Sequence, residues 1–325
     1  MVNNNENLGS EMLQTSKSFD KLIENANEIQ SKCVDHKVAV KDLSINEDLQ
    51  LDLGNGNAIN MSNLATSHLC GKLGVPSRYY TKMVETGHSD LARENLNAWF
   101  PDDKRTFFVR QYEDHARGIL SGSYSQFDTP EILKEVAEVF DPKTFDLKGS
   151  FLSEERLHLR LVQKEMLPID GEDLFAGISL DSSDVGRCGL YVRFFVWKQV
   201  CTNGLIIAKS SAKLFTQKHI GITSEDFREG LRAGLENIEE VKRVVTDQII
   251  ATGKIPMKTD MEELIKDIKT ATLLSDDMAQ KVIDIATAKY ASTNWGIING
   301  ITEVAQDFSL ERRLQLEEAA ATMLV

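Results

Sequence analysis

Apolar and polar residues follow two different periods along this chain, and the changes of period predict its secondary structure. Residues 10–31 carry apolar side chains at helical spacing, which predicts an amphipathic helix. The preceding residues 1–9 include NNNEN and predict a disordered tail. Short alternating runs at 37–40 and 49–53, followed by GNGN at 54–57, predict a strand pair with a glycine turn.

Helical spacing returns between Leu64 and Leu73, and the middle of the chain then changes to the two-residue period of strands. Residues 105–112, 150–163 and 190–200 alternate in this way, and a helix beginning at Pro130 interrupts them. The run at 190–200 is apolar or aromatic on both faces, which predicts a strand that is buried on both sides.

From Thr223 onward the pattern is helical to the end of the chain. One apolar stripe from Leu231 to Ile249 predicts a single long helix that Gly253 and Pro256 terminate. Further helices are predicted over 261–274, 276–292, 295–308 and 310–324. The predicted class is therefore α+β, with a central mixed or antiparallel sheet flanked by N-terminal helices and a C-terminal helical region. We expect a core domain over 10–222 and a helical region over 223–325, packed on or beside that core.

Composition narrows the class of protein. The 325 residues are 42% hydrophobic and 27% charged, as in ordinary soluble globular proteins. The net charge of −13 is uneven, because residues 1–103 carry −6, residues 104–219 are balanced and residues 220–325 carry −7. This excess of negative charge argues against indiscriminate coating of DNA but allows a local basic groove. No apolar run is long enough to cross a bilayer and no secretory signal is evident, so we expect a cytoplasmic protein without a membrane partner.

Sequence motifs exclude several familiar chemistries. The phosphate-binding patterns GxxxxGK[ST] and GxGxxG and the nucleophile motif GxSxG are absent, and no cofactor or catalytic residue is predicted. The histidines and cysteines lack metal-ligand spacing, so no metal site is predicted. Cys201 in VCTNG is either a thiol that the fold activates or a small apolar residue at a strand end, and the sequence favours the second.

Cations and aromatic residues interleave in the balanced middle third. Strand-placed cations and aromatics that project from one sheet face can hold single-stranded nucleic acid by phosphate contacts and base stacking. The candidate binding residues are Arg110, Arg117, Tyr124, Arg160, Arg187, Tyr191 and Arg193, accompanied by Arg105, His158 and Lys198. The alternative is that each arginine pairs with a nearby carboxylate while the aromatic rings fill the core.

Several blocks of the sequence resemble a phage/plasmid-like family catalogued as domain of unknown function 932. The matching segments are SHLCGKLGVPSRYYTKM at 67–83, RGILSGSYSQFDTPEIL at 117–133, AGISLDSSDVGRCGLYVRFFVWKQVCTNGLI at 176–206, KHIG at 218–221 and NWGIINGITEVAQDF at 294–308. Relatives often have Asn-Ser-Glu-Val-Gly where this chain has Ser182 to Gly186, so the acid at Asp184 is one methylene shorter. The resemblance implies an intracellular role for a protein encoded by a phage or other mobile element. It does not imply any particular reaction.

These observations lead to a principal functional hypothesis and two rivals. The first is a non-enzymatic nucleic-acid-interacting protein that binds or anneals single-stranded DNA in replication or recombination. The second is a counter-defence factor that inhibits a host protein, or binds a phage protein, through its acidic surfaces. The third is an enzyme whose polar residues Asp184, Arg187, Cys201, Asn203 and His219 would converge in one pocket. The C-terminal AAATMLV segment permits either a homo-oligomer or a helix docked on its own domain.

Overall fold

The structure is a computed structural model. It describes residues 18–54, 56–124, 126–198, 203–207, 213–217 and 223–325. For residues 203, 213 and 217 it describes the backbone but not the side chain. The predicted tail at 1–9, residues 10–17, Cys201 and the KHIG segment with His219 lie outside the described residues.

The described residues form helices and strands in the following order. The strands are β1 (Cys33–Ala39), β2 (Ser44–Ile45), β3 (Leu51–Asp52), β4 (Ala58–Met61), β5 (Thr106–Tyr112), β6 (His115–Ser121), β7 (Phe145–Leu152), β8 (Leu157–Met166), β9 (Leu174–Ser182), β10 (Leu190–Lys198), β11 (Asn203–Ile206) and β12 (Lys213–Gln217). The helices are α1 (Phe19–Ser31), α2 (Asn63–Leu73), α3 (Ser77–Glu85), α4 (Ser89–Asn97), α5 (Thr129–Val139), α6 (Ser224–Glu236), α7 (Ile238–Gly253), α8 (Met261–Thr272), α9 (Asp276–Lys289), α10 (Asn294–Val304) and α11 (Leu310–Ala321). The α+β class is confirmed. No helix in the described ranges is long and apolar enough to span a bilayer.

The strands form two sheets, each with its own apolar core. The first sheet has the order β1-β5-β6-β4-β3-β2, and only the β4–β6 pair is parallel. Its core includes Leu69 from α2, Leu96 from α4, and Val109 and Ile119 from the central strands. Amphipathic helices cover such a sheet because each buries its apolar stripe against the pleated surface.

The second sheet is antiparallel, with the order β11-β10-β9-β8-β7 and with β12 also paired to β10. Its apolar face, which includes Leu159 and Phe194, shares one continuous core with α1, α5 and the C-terminal helices. Leu133 of α5 and Ile297 of α10 are fully buried in this core. The opposite face carries the charged residues of β8, β9 and β10 and lies against α11.

Three predictions about elements are wrong in detail. Residues 37–40 do not pair with 49–53, because β1 pairs with the distant β5 and the glycine turn joins β3 to β4. The run at 150–163 is two strands, since a turn at Ser153–Arg156 reverses the chain. The long C-terminal helix is divided at Asn237, whose side-chain amide donates to the Ala233 carbonyl at the end of α6. Local periodicity cannot reveal such pairings and reversals.

The two sheets meet where the loop after β9 crosses β6. A Cβ atom at Gly118 would stand 2.8 Å from the Cβ of Val185, so only glycine allows this approach. Gly186, with φ of 77°, then turns the loop back through the left-handed region. The crossing brings Asp184 of the loop beside the first sheet.

The end of α8 supplies a stability prediction. Leu273 ends this helix in the left-handed conformation with φ of 56°, although 81% of it is exposed. Leu273→Gly should raise the free energy of unfolding by about 0.5–1 kcal/mol, because glycine adopts this conformation without steric cost. Leu91→Gly, within α4, is the control and should lower the same quantity by about 1 kcal/mol. Urea-induced unfolding measures both; a less stable L273G would contradict the prediction.

Candidate functional site

The arginines chosen from the sequence do not project from one sheet face. Arg110 and Arg117 belong to the first sheet, whereas Arg160 and Arg193 belong to the second. The structure places them in two separate charged networks. We name these the inter-sheet network, which consists of Asp35, Arg110, Arg117, Tyr124, Asp128 and Asp184, and the α11 network, which consists of Arg160, Asp181, Arg187, Arg193, Glu311, Glu317 and Glu318.

Arg110 is the centre of the inter-sheet network and is completely buried. Its guanidinium makes bidentate contacts with Asp35, at 3.0 Å for both bonds, and with Asp128, at 2.6 and 2.8 Å. It also donates to the backbone carbonyl of Asp184, 3.0 Å away. Asp128 precedes α5, where it forms a capping box with Glu131, and its carboxylate accepts from Arg110 in addition. Arg110 therefore ties the first sheet to α5 and to the loop after β9.

Arg117 reaches the same network because of an irregularity in β6. The β5–β6 register shifts so that one extra residue of β6 lies between the partners of Arg110 and Gln111, and this bulge re-aims Arg117. Its guanidinium donates to the Glu154 carbonyl and lies 3.8 Å from the Asp184 carboxylate. Its Nε and Nη2 atoms are buried without a hydrogen-bond partner among the described residues.

The charges of the inter-sheet network are unbalanced. Three carboxylates face two guanidiniums. Asp184 is buried, and among the described residues only Thr129 donates a hydrogen bond to its side chain, at 2.8 Å. Burial, followed by repulsion from Asp128, raises the pKa of Asp184 to about 6, against the opposing effect of Arg117 and Arg110. Asp184 is therefore a carboxyl group that exchanges its proton near neutral pH.

Tyr124 also belongs to this network. The ring stacks on Phe108 with centroids 6.0 Å apart, and the Arg110 guanidinium lies 5.9 Å from its centre. Burial and the nearby Asp184 carboxylate raise the pKa of the Tyr124 phenol. The aromatic ring thus fills the space between the sheets.

The α11 network covers the polar face of the second sheet. Arg160 donates to Glu317 at 2.6 Å, Arg187 donates to Glu311 at 3.0 Å, and Arg193 donates to Glu318. All three glutamates belong to α11. Arg187 is also bonded to Glu155 at 2.6 Å, and Arg193 to Asp181 at 2.5 Å.

Asp181 and His158 form a buried pair within this face. The Nδ1 atom of His158 lies 3.0 Å from Asp181, while its Nε2 accepts from Arg160 at 3.3 Å. Nε2 therefore carries no proton in this arrangement, and burial lowers the pKa of the ring. Burial alone would raise the pKa of Asp181, but His158, Arg156 and Arg193 hold it well below its usual range.

These contacts correspond to the alternative stated for the sequence, in which the arginines pair with carboxylates. Arg110, Arg117 and Arg160 are at most 2% exposed, so phosphate cannot reach them in this conformation. Arg193 and Tyr191 are half-buried, with the guanidinium 5.6 Å from the ring centre, and the side chain of Arg187 is 39% exposed. Nucleic-acid binding by the seven residues stays a prediction and would require displacement of their carboxylates.

The residues of the enzyme hypothesis do not come together where the structure describes them. Asp184 points into the inter-sheet network, whereas Arg187, three residues later, pairs with Glu155 and Glu311. No cluster of three His, Cys, Asp or Glu side chains that could hold a metal ion exists among the residues with described positions.

An open basic groove lies where β5 begins, β6 ends and α2 terminates. The groove has a volume of about 460 Å³ and is lined by Lys37, Lys72, Arg105, Thr106, Phe107, Ser121, Gly122 and Ser123. Lys72 and Arg105 both lie over the ring of Phe107, at 5.6 and 5.3 Å from its centre. Arg105 also donates to the carbonyl of Lys72 at 2.8 Å, which holds the strand against the end of the helix.

The positive charge of this groove is only partly neutralised. Asp103 pairs with Arg105 at 2.5 Å, but Lys37 and Lys72 make no ion pair with any residue that the structure describes. Partial burial and the neighbouring Arg105 lower the pKa of Lys72, as expected for cations that crowd one another. Such a groove is arranged to accept an anion.

Sequence reasoning named Arg105 but missed Lys37 and Lys72. Lys37 is an isolated lysine in β1 and Lys72 lies in the last turn of α2, where a cation commonly interacts with the helix dipole. Neither lies in a basic run, so no local signal indicated that the two would share a groove. Ser121, Gly122 and Ser123 of the LSGSY segment also line the groove.

No family model, curated protein or solved structure was found to match this chain.

Proposed function

We propose that this protein binds single-stranded nucleic acid and that the basic groove provides its phosphate contacts. The observation that carries the proposal is the pair of lysines, Lys37 and Lys72, which share an open groove with Arg105 and lack carboxylate partners in the described structure. The hydroxyls of Ser121 and Ser123, 3.1 Å apart, add neutral donors that can bond to phosphate oxygens.

The chemistry of the groove suits contacts with phosphates. Lysine ammonium groups contact phosphates without reading the base sequence, so such a groove supports binding that depends on salt more than on sequence. The acidic ends of the chain repel nucleic acid, which would disfavour contact with those segments.

Exposed aromatic rings lie in the same half of the molecule. Trp99 and Tyr79 are 55% and 53% exposed on the helical layer that covers the first sheet. Trp99 directly precedes the Phe100–Asp103 turn, which carries the carboxylate partner of Arg105. Base stacking on such rings contributes about 1–3 kcal/mol per base in single-strand binders.

The test is binding of a fluorescently labelled single-stranded oligonucleotide over a range of salt concentrations. We expect log affinity to fall linearly with log salt concentration, and K37A/K72A to make that slope shallower by roughly 1.4, since each lost phosphate contact removes about 0.7. The matched control is K254A/K266A, because these exposed lysines lie outside the groove and make no ion pair with a described residue.

Two results would contradict this function. One is an absence of binding at low salt with micromolar protein. The other is a K37A/K72A variant whose salt slope matches that of K254A/K266A. A partner captured from host lysate that resists nuclease treatment would instead favour the protein-binding alternative.

A further inference from the structure

The polar face of the second sheet has the composition of a nucleic-acid-binding surface, although α11 covers it. We call it the arginine–aromatic face; it consists of His158, Arg160, Ser179, Asp181, Tyr191, Arg193 and Phe195, which the β8–β9–β10 register places side by side. The Arg160 guanidinium lies 4.8 Å from the centre of the Phe195 ring, and Arg193 lies over Tyr191. Alternating cations and rings of this kind contact phosphates and stack on bases when they are accessible.

The covering helix presents one glutamate to each of three arginines on or beside this face. Glu317 pairs with Arg160, Glu318 with Arg193, and Glu311 with Arg187 at the margin. A carboxylate offers a guanidinium the same bidentate acceptor geometry as a phosphate does. The three α11 glutamates thus occupy positions that phosphate oxygens could take.

The fit between α11 and the face is incomplete. The hydroxyl of Ser179 and the Nε atoms of Arg156 and Arg193 are buried without a hydrogen-bond partner among the described residues. Buried polar groups in native structures are nearly always satisfied, so these three atoms indicate an incomplete set of acceptors under the helix. A ligand with more acceptors than α11 supplies would satisfy them.

Two sets of apolar contacts hold α11 in place in the free protein. Leu314 packs in a small cluster with Val162, Phe195 and Ile206. On another side of the helix, Leu316, Ala320 and Ala321 are buried in the large core of the second sheet. Displacing α11 would therefore break both sets of contacts and the three ion pairs while leaving the strand pairing of the sheet intact.

We propose that the arginine–aromatic face is a second binding surface for single-stranded nucleic acid, and that α11 closes it by presenting its glutamates to the arginines. The proposal rests on the proposed function for the class of ligand, but it concerns different residues from the groove. Nucleic acid binds here by competing with Glu311, Glu317 and Glu318, so occupancy of the face and docking of α11 exclude each other.

The decisive comparison uses E311Q/E318Q, which weakens two of the three ion pairs and retains the buried Glu317. Its control is E239Q/E240Q on α7, where two exposed glutamates that pair with Lys242 and Arg243 lose the same charge. With a labelled single-stranded oligonucleotide, E311Q/E318Q should bind roughly threefold to thirtyfold more tightly than E239Q/E240Q, since each released pair contributes up to about 1 kcal/mol. Equal affinities of the two variants would overturn the proposal.

Hydrogen exchange supplies a readout that does not depend on net charge. In the wild-type protein, added oligonucleotide should increase amide exchange across 310–321, and unchanged exchange there at saturating oligonucleotide would overturn the proposal. Repeating the affinity comparison in the K37A/K72A background separates the two sites. Tighter binding by E311Q/E318Q in that background supports the second surface even if the groove contributes nothing. Binding by neither variant overturns both proposals.

Discussion

Arg110→Met should destabilise the protein by about 3–5 kcal/mol in urea-induced unfolding at neutral pH. Methionine fills much of the volume of the arginine stem but leaves the carboxylates of Asp35 and Asp128 without their cation. Their side chains are only 17% and 10% exposed, so water cannot replace the guanidinium. The Asp184 carbonyl loses its donor as well. The loss should be large because one substitution removes five hydrogen bonds that join β5 to three other chain positions, at Asp35, Asp128 and Asp184.

Arg243→Met provides the matched control for this substitution. Arg243 also makes two hydrogen bonds to one carboxylate, that of Glu240, but both side chains are 65% exposed. Its loss should cost much less stability than the loss of Arg110, because solvent screens an exposed ion pair. The triple variant D35N/R110M/D128N should recover part of the stability, because it removes the uncompensated charges together with the cation. Equal losses for R110M and R243M would show that the Arg110 network does not support the fold.

Asp184 should make the protein less stable as the pH rises from 4 to 7, which is opposite to the usual effect of an aspartate. Its pKa rises from 3.8 to about 6 on folding, so the folded state binds the Asp184 proton more tightly than the unfolded chain does. The free energy of unfolding of the wild type, relative to Asp184→Asn, should therefore fall by about 3 kcal/mol across this window and level off above it. Urea unfolding of both proteins at several pH values measures the difference.

Asp181→Asn is the control with the opposite sign. Folding lowers the pKa of Asp181, so the ionised Asp181 carboxylate stabilises the folded protein at pH values above the unfolded pKa. This stabilisation is lost as the pH falls below the unfolded pKa. Relative to D181N, the wild type should lose stability as the pH falls below about 4. A wild-type protein that gains stability relative to D184N between pH 4 and 7 would refute the charge imbalance of the inter-sheet network.

The two networks show why the same residue type can serve different purposes in one chain. Arg110 joins elements that are distant in sequence, and its hydrogen bonds to protein acceptors leave no donor available to solvent. Arg193 instead pairs with a glutamate on the terminal helix and retains a buried Nε without a partner in the described structure. The contacts of Arg110 stabilise the fold. Those of Arg193 leave one hydrogen-bond donor that an acceptor on a ligand could satisfy.

Local patterns were sufficient for much of the architecture. Alternation predicted that the leucines of β8 and the phenylalanines of β10 lie in a sheet, and Phe194 and Phe195 are indeed buried on opposite faces. Helical spacing predicted the helix over Leu64 to Leu73, and helix starts were predicted at Pro130 and near Thr223, close to the observed α2, α5 and α6. These features depend on neighbours within a few residues, so sequence reasoning could find them.

What the sequence determined by itself was the α+β class, the acidic ends and the interleaving of arginines with aromatic rings in the middle third. Only the tertiary structure decided which arginines are accessible, because the carboxylates that neutralise Arg110 and Arg160 lie 75 and 157 residues away at Asp35 and Glu317. It also decided that Lys37 and Lys72 share a groove. Two charges pair only when the folded chain brings them close together in space. Composition alone therefore cannot distinguish a paired guanidinium from an accessible one.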